Sequence, residues 1–443
     1  MKELIVGATI INGGRRFGGW VETEGSFISA VGEGFPSPEM TATADKVTDL
    51  DGAYLIPGVI DTHVHFRDGG DGKSPKGDIA SESAAAIAGG VTTVFDMPNT
   101  APPAVSSGNI KKKTERAEKV SRVNYAFFIG ATNGNINELK AADYTRIPGV
   151  KIFMGASTGD MLVDDSNTIS RIFKEIPAVK AVHAEDQHIL DRNLAELKEK
   201  YSETGEIPIF EHPAWRNTEA CVNSTEKAME LARRTGSRLH ICHISTAAET
   251  RLLTPGNVEN KKITAETCPQ YLIFGGQEDY LKYGSRIKCN PAVKEKTDAH
   301  ELLEALIDGR IDTIATDHAP HLPADKEGDL LHAASGMPGI QYSLRLMIEQ
   351  SKRNPRLTLE RIVELMAHNP AKIFRIDRRG FIQPGMFADL VAFRDTEPYT
   401  VTDSDVISGC GWTPYAGQTL STEIVAVRIN GTDALPAQVE FRQ

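Results

Sequence analysis

The 443-residue sequence predicts an α/β fold, a (β/α)8 TIM barrel carrying a small β-rich domain built from both chain ends. Three observations predict it. Apolar runs recur with helical segments between them, the alternation of a parallel α/β sheet. Eight such runs fall within about 270 residues, the span of a barrel of this kind. The two chain ends instead carry short alternating strands separated by Gly, Asp and Pro.

Taken in chain order, residues 1–54 contain "ELIVGATII" and are expected to join residues 380–443, with "DLVAF" and "EIVAVRING", in the small β-sandwich-like domain. Residues 55–379 are left to the barrel. Its strands are read in "YLIPGVIDTHVH", "VTTVFDMPN", "NYAFFIGA", "GVKIFMG", "AVKAVHAED", "SRLHICHIS", "KITAETCPQYLIF" and "DTIATDHAP". Each is a near-continuous apolar run, as a strand covered on both faces requires. Stretches such as "SPKGDIASESAAAIAGG" and "TDAHELLEALIDGR" have apolar residues at three-to-four spacing and glycine near the end, the pattern of capped helices. The run Lys111 to Lys113 lies at helical spacing with acidic residues after it and reads as a solvated helix face. "FMGASTGDMLVDD" is rich in small residues and reads as a loop able to close on substrate, or as an ordinary βα loop.

Composition narrows the function. Hydrophobic content of 40% and charged content of 25% are those of a globular protein, and a net charge of -11 argues against a broad nucleic-acid-binding surface. A pocket of opposite sign can still take a small anion. No apolar run is long enough to span a bilayer, and the N-terminus lacks the pattern of a cleaved signal, so a cytoplasmic protein without a membrane partner is expected. The five cysteines include no CxxC pair and read as buried small hydrophobes. Self-association into a homo-oligomer is left open.

Chemistry-bearing residues gather at the C-terminal ends of the expected strands, where barrel enzymes build their sites. His63 and His65 end the first strand, Lys151 lies in the fourth, His183 ends the fifth, His243 the sixth and Asp317 the eighth. Imidazole and carboxylate suit zinc and similar divalent ions, and six positions exceed what one tetrahedral ion needs, which points to two metals. Lys151 is out of place as a cation, but carboxylation by CO2 would make it a carbamate able to bridge two ions. In "DTHVHFRD" an extended chain would turn His63, His65 and Arg67 to one face. A permanent cation beside a metal site calls for an anion between them.

The blocks "GVIDTHVHFRD", "DMPNT", "VKIFM", "VHAED", "ICHIST" and "ATDHAPH", with "NPAKIF", "GFIQPGMFADLVAF" and "CGWTPYAG" further on, resemble the amidohydrolase superfamily and within it the dihydroorotases. The resemblance covers essentially the whole chain. It implies His63 and His65 as ligands of the more buried metal, His183 and His243 as ligands of the other, and carboxylated Lys151 as the bridge. Two divalent ions, zinc expected, are the implied cofactors. Asp317 would be both ligand and proton carrier, and Arg67, Asn99, Asn290 and His321 would recognise substrate. The implied activity is the reversible hydrolysis of dihydroorotate to N-carbamoyl-L-aspartate, a step of pyrimidine biosynthesis, and the ring carboxylate of dihydroorotate would be the anion beside Arg67.

Two departures stand against this. The family often shows an acidic residue and then Pro-Gly after the arginine, whereas this chain has "DGGDGKSPKGD". Some dihydroorotases also place an aspartate where Lys151 stands. The competing readings are another cyclic-amide hydrolase (hydantoinase, dihydropyrimidinase or allantoinase), whose substrates lack a carboxylate at that ring position, and a non-catalytic scaffold homologue, which would be expected to have lost ligands.

Overall fold

A computed structural model describes residues 1–155, 161–431 and 435–442. Residues 156–160, the middle of the glycine- and serine-rich stretch after Lys151, lie outside the described residues. The chain begins with β1 (Lys2–Asn12), β2 (Arg15–Glu24) and β3 (Phe27–Glu33), an antiparallel meander, followed by β4 (Lys46–Asp49) and β5 (Tyr54–Pro57), both parallel to β1.

The barrel strands follow: β6 (Val59–Val64), β7 (Val91–Asp96), β8 (Asn124–Phe127) continued by β9 (Ile129–Gly130), β10 (Gly149–Met154), β11 (Val179–Ala184), β12 (Leu239–Ile241), β13 (Ile263–Thr267) and β14 (Thr313–Ile314). All of their ladders are parallel. The ring closes where Val64 bridges His318 in parallel and the His65 amide donates to the His318 carbonyl at 2.7 Å. The chain then adds β15 (Leu390–Thr400) and β16 (Thr419–Arg428) to the first sheet, whose order is β16-β15-β5-β1-β2-β3, with β4 on β1. The last described residues return to the barrel: Gln438 bridges Tyr125, and Phe441 packs its ring 5.5 Å from that of Phe95.

Three sequence expectations shift here. "YLIPGVIDTHVH" is two strands: β5 pairs with β15 in the terminal sheet, and only β6 enters the barrel. Pro57 has no N–H for a ladder, and a Cβ on Gly58 would sit 2.1 Å from Thr92 Oγ1, so the break falls where the backbone presses on the next strand. "KITAETCPQYLIF" stops being a strand at Thr267, because Pro269 opens a helical turn over Pro269–Ile273. Lys113 is not on a solvated face. Lys111 and Lys112 are exposed, but Lys113 is buried on helix Ser107–Val120 and its Nζ donates to Asp96 at 2.6 Å. Asp96 also accepts the Phe66 amide at 2.9 Å, so this buried pair braces the turn that carries Arg67.

Candidate metal centre and substrate pocket

His63 lies within β6 and His183 within β11, while His65, His243 and Asp317 stand one to three residues past the ends of their strands. Extended alternation therefore does not carry Arg67 onto the histidine face. Arg67 has φ +65°, and His243 (φ +40°) and Asp317 (φ +50°) also adopt the left-handed region that residues with a Cβ seldom enter. Three of the site residues are thus aimed by backbone strain and not by strand period, as is common at functional centres.

The structure brings the expected ligands together. Nε2 of His65 and Nε2 of His63 lie 3.0 and 3.3 Å from the same Asp317 Oδ1. Nδ1 of His183 faces Nε2 of His243 at 2.9 Å. Three of the four opposite ring nitrogens are engaged by the protein, and His243 Nδ1 is buried without a partner among the described residues. His63 Nδ1 meets Glu266 Oε1 at 2.5 Å, His65 Nδ1 meets Asn99 Oδ1 at 2.7 Å, and His183 Nε2 meets Glu185 Oε2 at 2.8 Å. As neutral rings protonated on their outward nitrogens, His63 and His65 would turn lone pairs toward a carboxylate oxygen, and His183 would turn one toward His243. Imidazole nitrogens and a carboxylate oxygen converge here, and three of the histidines carry outer hydrogen bonds of the kind that orient metal ligands, so the donor set fits divalent ions.

Burial and the Lys151 amine pull His63 down, yet the Glu266 and Asp317 carboxylates outweigh them and push it up to about 10. Burial dominates at His65, which falls to about 3 despite its bond to Asp317. Burial raises Asp317, but His63, His65 and His243 together hold it below the usual carboxylate range. Glu266 and Asp317 thus favour positive charge beside them, carried by the His63 ring or by a bound cation.

Lys151 is fully buried, and its Nζ lies 3.1 Å from Cys242 Sγ and 5.3 Å from the Phe153 ring centre. Among the described residues no carboxylate pairs with it. A carbamate there would be an anion facing cations instead of an amine facing a thiol. Cys242 is also more than a buried apolar filler, since it clusters with His63 and Glu266, donor atoms within 4.8 Å of one another.

Above the centre opens a cavity of about 970 Å³ lined by Arg67, Asn99, His321, Lys76 and loop residues between. Arg67 is half-buried, its NH2 3.1 Å from His321 Nε2 and its Nε 3.4 Å from the Pro320 carbonyl. Among the described residues it has no carboxylate partner. Asn99 lines the cavity while its oxygen is taken by His65, so one side chain touches both pocket and ligand set. Asn290 does not line this cavity; its Oδ1 is buried without a partner among the described residues and so offers an acceptor. Glu185, Glu266 and Lys76 escaped the sequence reading. Glu185 had a legible signal, standing two residues after His183 as His65 stands after His63. Glu266 sat inside an apolar run with nothing to mark its partner.

The barrel, with groups of residues that could hold a metal ion and its terminal sheet, is of a hydrolase type, and residues 54–432 match the amidohydrolase family. The chain belongs to that family. It is 33% identical over 400 residues to an allantoinase of Bacillus velezensis, covering 89% of this chain and 86% of that one. It is likewise 33% identical over 401 residues to a dihydroorotase of Halobacterium salinarum, covering 90% and 89%. An L-hydantoinase (dihydropyrimidinase) from Arthrobacter aurescens superposes with a TM-score of 0.88 at 26% identity, covering 100% of this chain and 97% of its own. Relatives with different substrates stand at equal distance, so substrate choice rests on the pocket.

Proposed function

We propose that the protein is a dihydroorotase, hydrolysing the cyclic amide of (S)-dihydroorotate reversibly to N-carbamoyl-L-aspartate. The observation that carries this reading is Arg67, a half-buried guanidinium in the cavity with no carboxylate of its own among the described residues. A ring carboxylate fits it bidentately. Allantoin, hydantoin and dihydrouracil bring no such group and would leave the guanidinium unmatched.

In this reading His63, His65, His183, His243, Asp317 and carboxylated Lys151 hold two divalent ions, zinc being the ion such donors favour. When bound, the ions supply Lewis acidity, polarising the scissile carbonyl and acidifying a water. Arg67, with His321 beside it, fixes the substrate carboxylate and so the orientation of the ring. Asp317 takes the proton from the attacking water and passes it to the departing ring nitrogen as the C–N bond breaks. The Asn290 amide oxygen accepts from a ring N–H, and the Asn99 amide group donates to the substrate. In cyclisation Asp317 acts in reverse, protonating the leaving oxygen. A cytoplasmic setting and a small-molecule partner go with this reading.

The relative from Bacillus velezensis favours allantoin as a second reading. Turnover of dihydroorotate, dihydrouracil, hydantoin and allantoin, measured side by side on one metal-analysed sample, tests both. Dihydroorotate should be preferred; preference for allantoin would replace the first reading with the second.

A further inference from the structure

We propose that Lys76 is a second cation of the substrate pocket and, with Arg67, sets its preference for carboxylate-bearing ligands. The inference rests on the proposed reading of Arg67 and extends it to a residue the resemblance did not mark. His321 stands between two cationic donors, with Arg67 NH2 3.1 Å from Nε2 and Lys76 Nζ 3.2 Å from Nδ1. A neutral imidazole has one acceptor nitrogen; the other carries a proton, for which the Ser335 carbonyl is an acceptor. One of the two cations therefore always faces an N–H. Protonating the ring would make matters worse: burial and the charges of Arg67, Lys76 and Lys326 hold His321 down to about 2. Among the described residues Asp325 is the carboxylate beside this group, its Oδ2 3.2 Å from Lys76 Nζ and 3.9 Å from His321 Nδ1, and none lies within ion-pair distance of Arg67. A substrate carboxylate, with two oxygens and lone pairs for several donors, supplies the acceptor that Arg67 lacks and can take Lys76 as well.

Lys76 can be drawn away from its present partner. Its carboxylate neighbour is Asp325 at 3.2 Å, and both side chains are about a third exposed (35% and 31%), so the ion pair is weak and screened. Asp325 also accepts the Leu322 amide at 3.0 Å and so is not orphaned when Lys76 turns away. Lys73, on the same loop and also lining the cavity, is 81% exposed and paired with Asp71 at 3.5 Å, and it does not touch His321. The departure "DGGDGKSPKGD" builds the position. Buried Asp68 accepts the amides of Gly70 at 2.7 Å and Gly72 at 3.0 Å, and Gly70 (φ +106°) and Gly77 (φ +146°) turn the loop that brings Lys76 to His321.

The test uses the metal-loaded enzyme and two probes. With dihydroorotate, Lys76→Met should raise KM about tenfold or more while kcat changes little, and Lys76→Arg should restore most of the loss. Turnover of dihydrouracil, the same ring without the carboxylate, should not share that loss. Calorimetric binding of orotate, which keeps the carboxylate and is not hydrolysed, should weaken by a similar factor. A dihydroorotate KM and orotate affinity indifferent to Lys76→Met, or no orotate binding by the wild type, would overturn the proposal. If the wild type fails to turn over dihydroorotate yet binds orotate through Lys76, the functional reading falls and the carboxylate pocket stands. If Arg67→Met discriminates the substrates and Lys76→Met does not, Lys76 alone is refuted.

Discussion

Glu266 reaches His63 across the barrel, its Oε1 2.5 Å from Nδ1 of a residue 203 positions earlier, while its Oε2 lies 3.1 Å from Nε2 of His240. One buried carboxylate thus orients two histidines, and a glutamine can accept from only one. Glu266→Gln should lower metal affinity about tenfold to a hundredfold, the usual consequence of losing an outer partner of a metal ligand. Competition with a chelator measures it, and unchanged affinity would mean that His63 needs no such support.

Lys151 has no anionic partner among the described residues, so its substitution tests the carbamate. Lys151→Ala should lose metal and activity together, and short carboxylic acids should restore part of both. Full metal content of about two ions per chain in the variant would make Lys151 structural.

Asp317 is assigned proton transfer as well as ligation. Asp317→Asn should bind substrate with affinity near that of the wild type but lose about a hundredfold or more in kcat, because an amide cannot shuttle the proton. A variant that changes KM alone would remove Asp317 from the chemical step.

Arg67→Met removes a charge-assisted pair from a partly desolvated pocket, a loss on the order of 2–5 kcal/mol in kcat/KM for dihydroorotate. Dihydrouracil should escape the penalty and the metal content should be unchanged. Equal losses on both substrates would assign Arg67 to the rim of the metal centre.

Glu3 ties the first strand to the last: its carboxylate takes Arg428 at 2.9 and 3.1 Å, Thr48 at 2.6 Å and Lys46 at 3.0 Å. Burial opposes ionisation, but these partners outweigh it and bring Glu3 from its ordinary 4.5 to about 2. A depressed carboxylate adds stability above its unfolded value and loses it as pH falls, so the contribution is full above about 4.5 and gone near 2. Glu3→Gln should therefore cost on the order of 2–3 kcal/mol at neutral pH and progressively less below pH about 4.5. Denaturant melts at pH 7 and pH 3 compare the two; a constant difference would contradict the assignment.

The sequence by itself determined the strand–helix alternation, the barrel, the terminal sheet strands and the histidine-rich strand ends, because hydrophobic period and residue type are local properties. It named His63, His65, His183, His243, Lys151 and Asp317 as one cluster before any coordinate did. Tertiary structure alone decided what surrounds these residues. Glu266 and Glu185 as orienting groups, Asn99 on His65, Lys113 buried on Asp96, and Lys76 against His321 all depend on chain segments meeting over long separations or on loops turned by glycines. The aim of Arg67, His243 and Asp317 depends on positive φ angles that the surrounding packing imposes, and no periodic pattern encodes them.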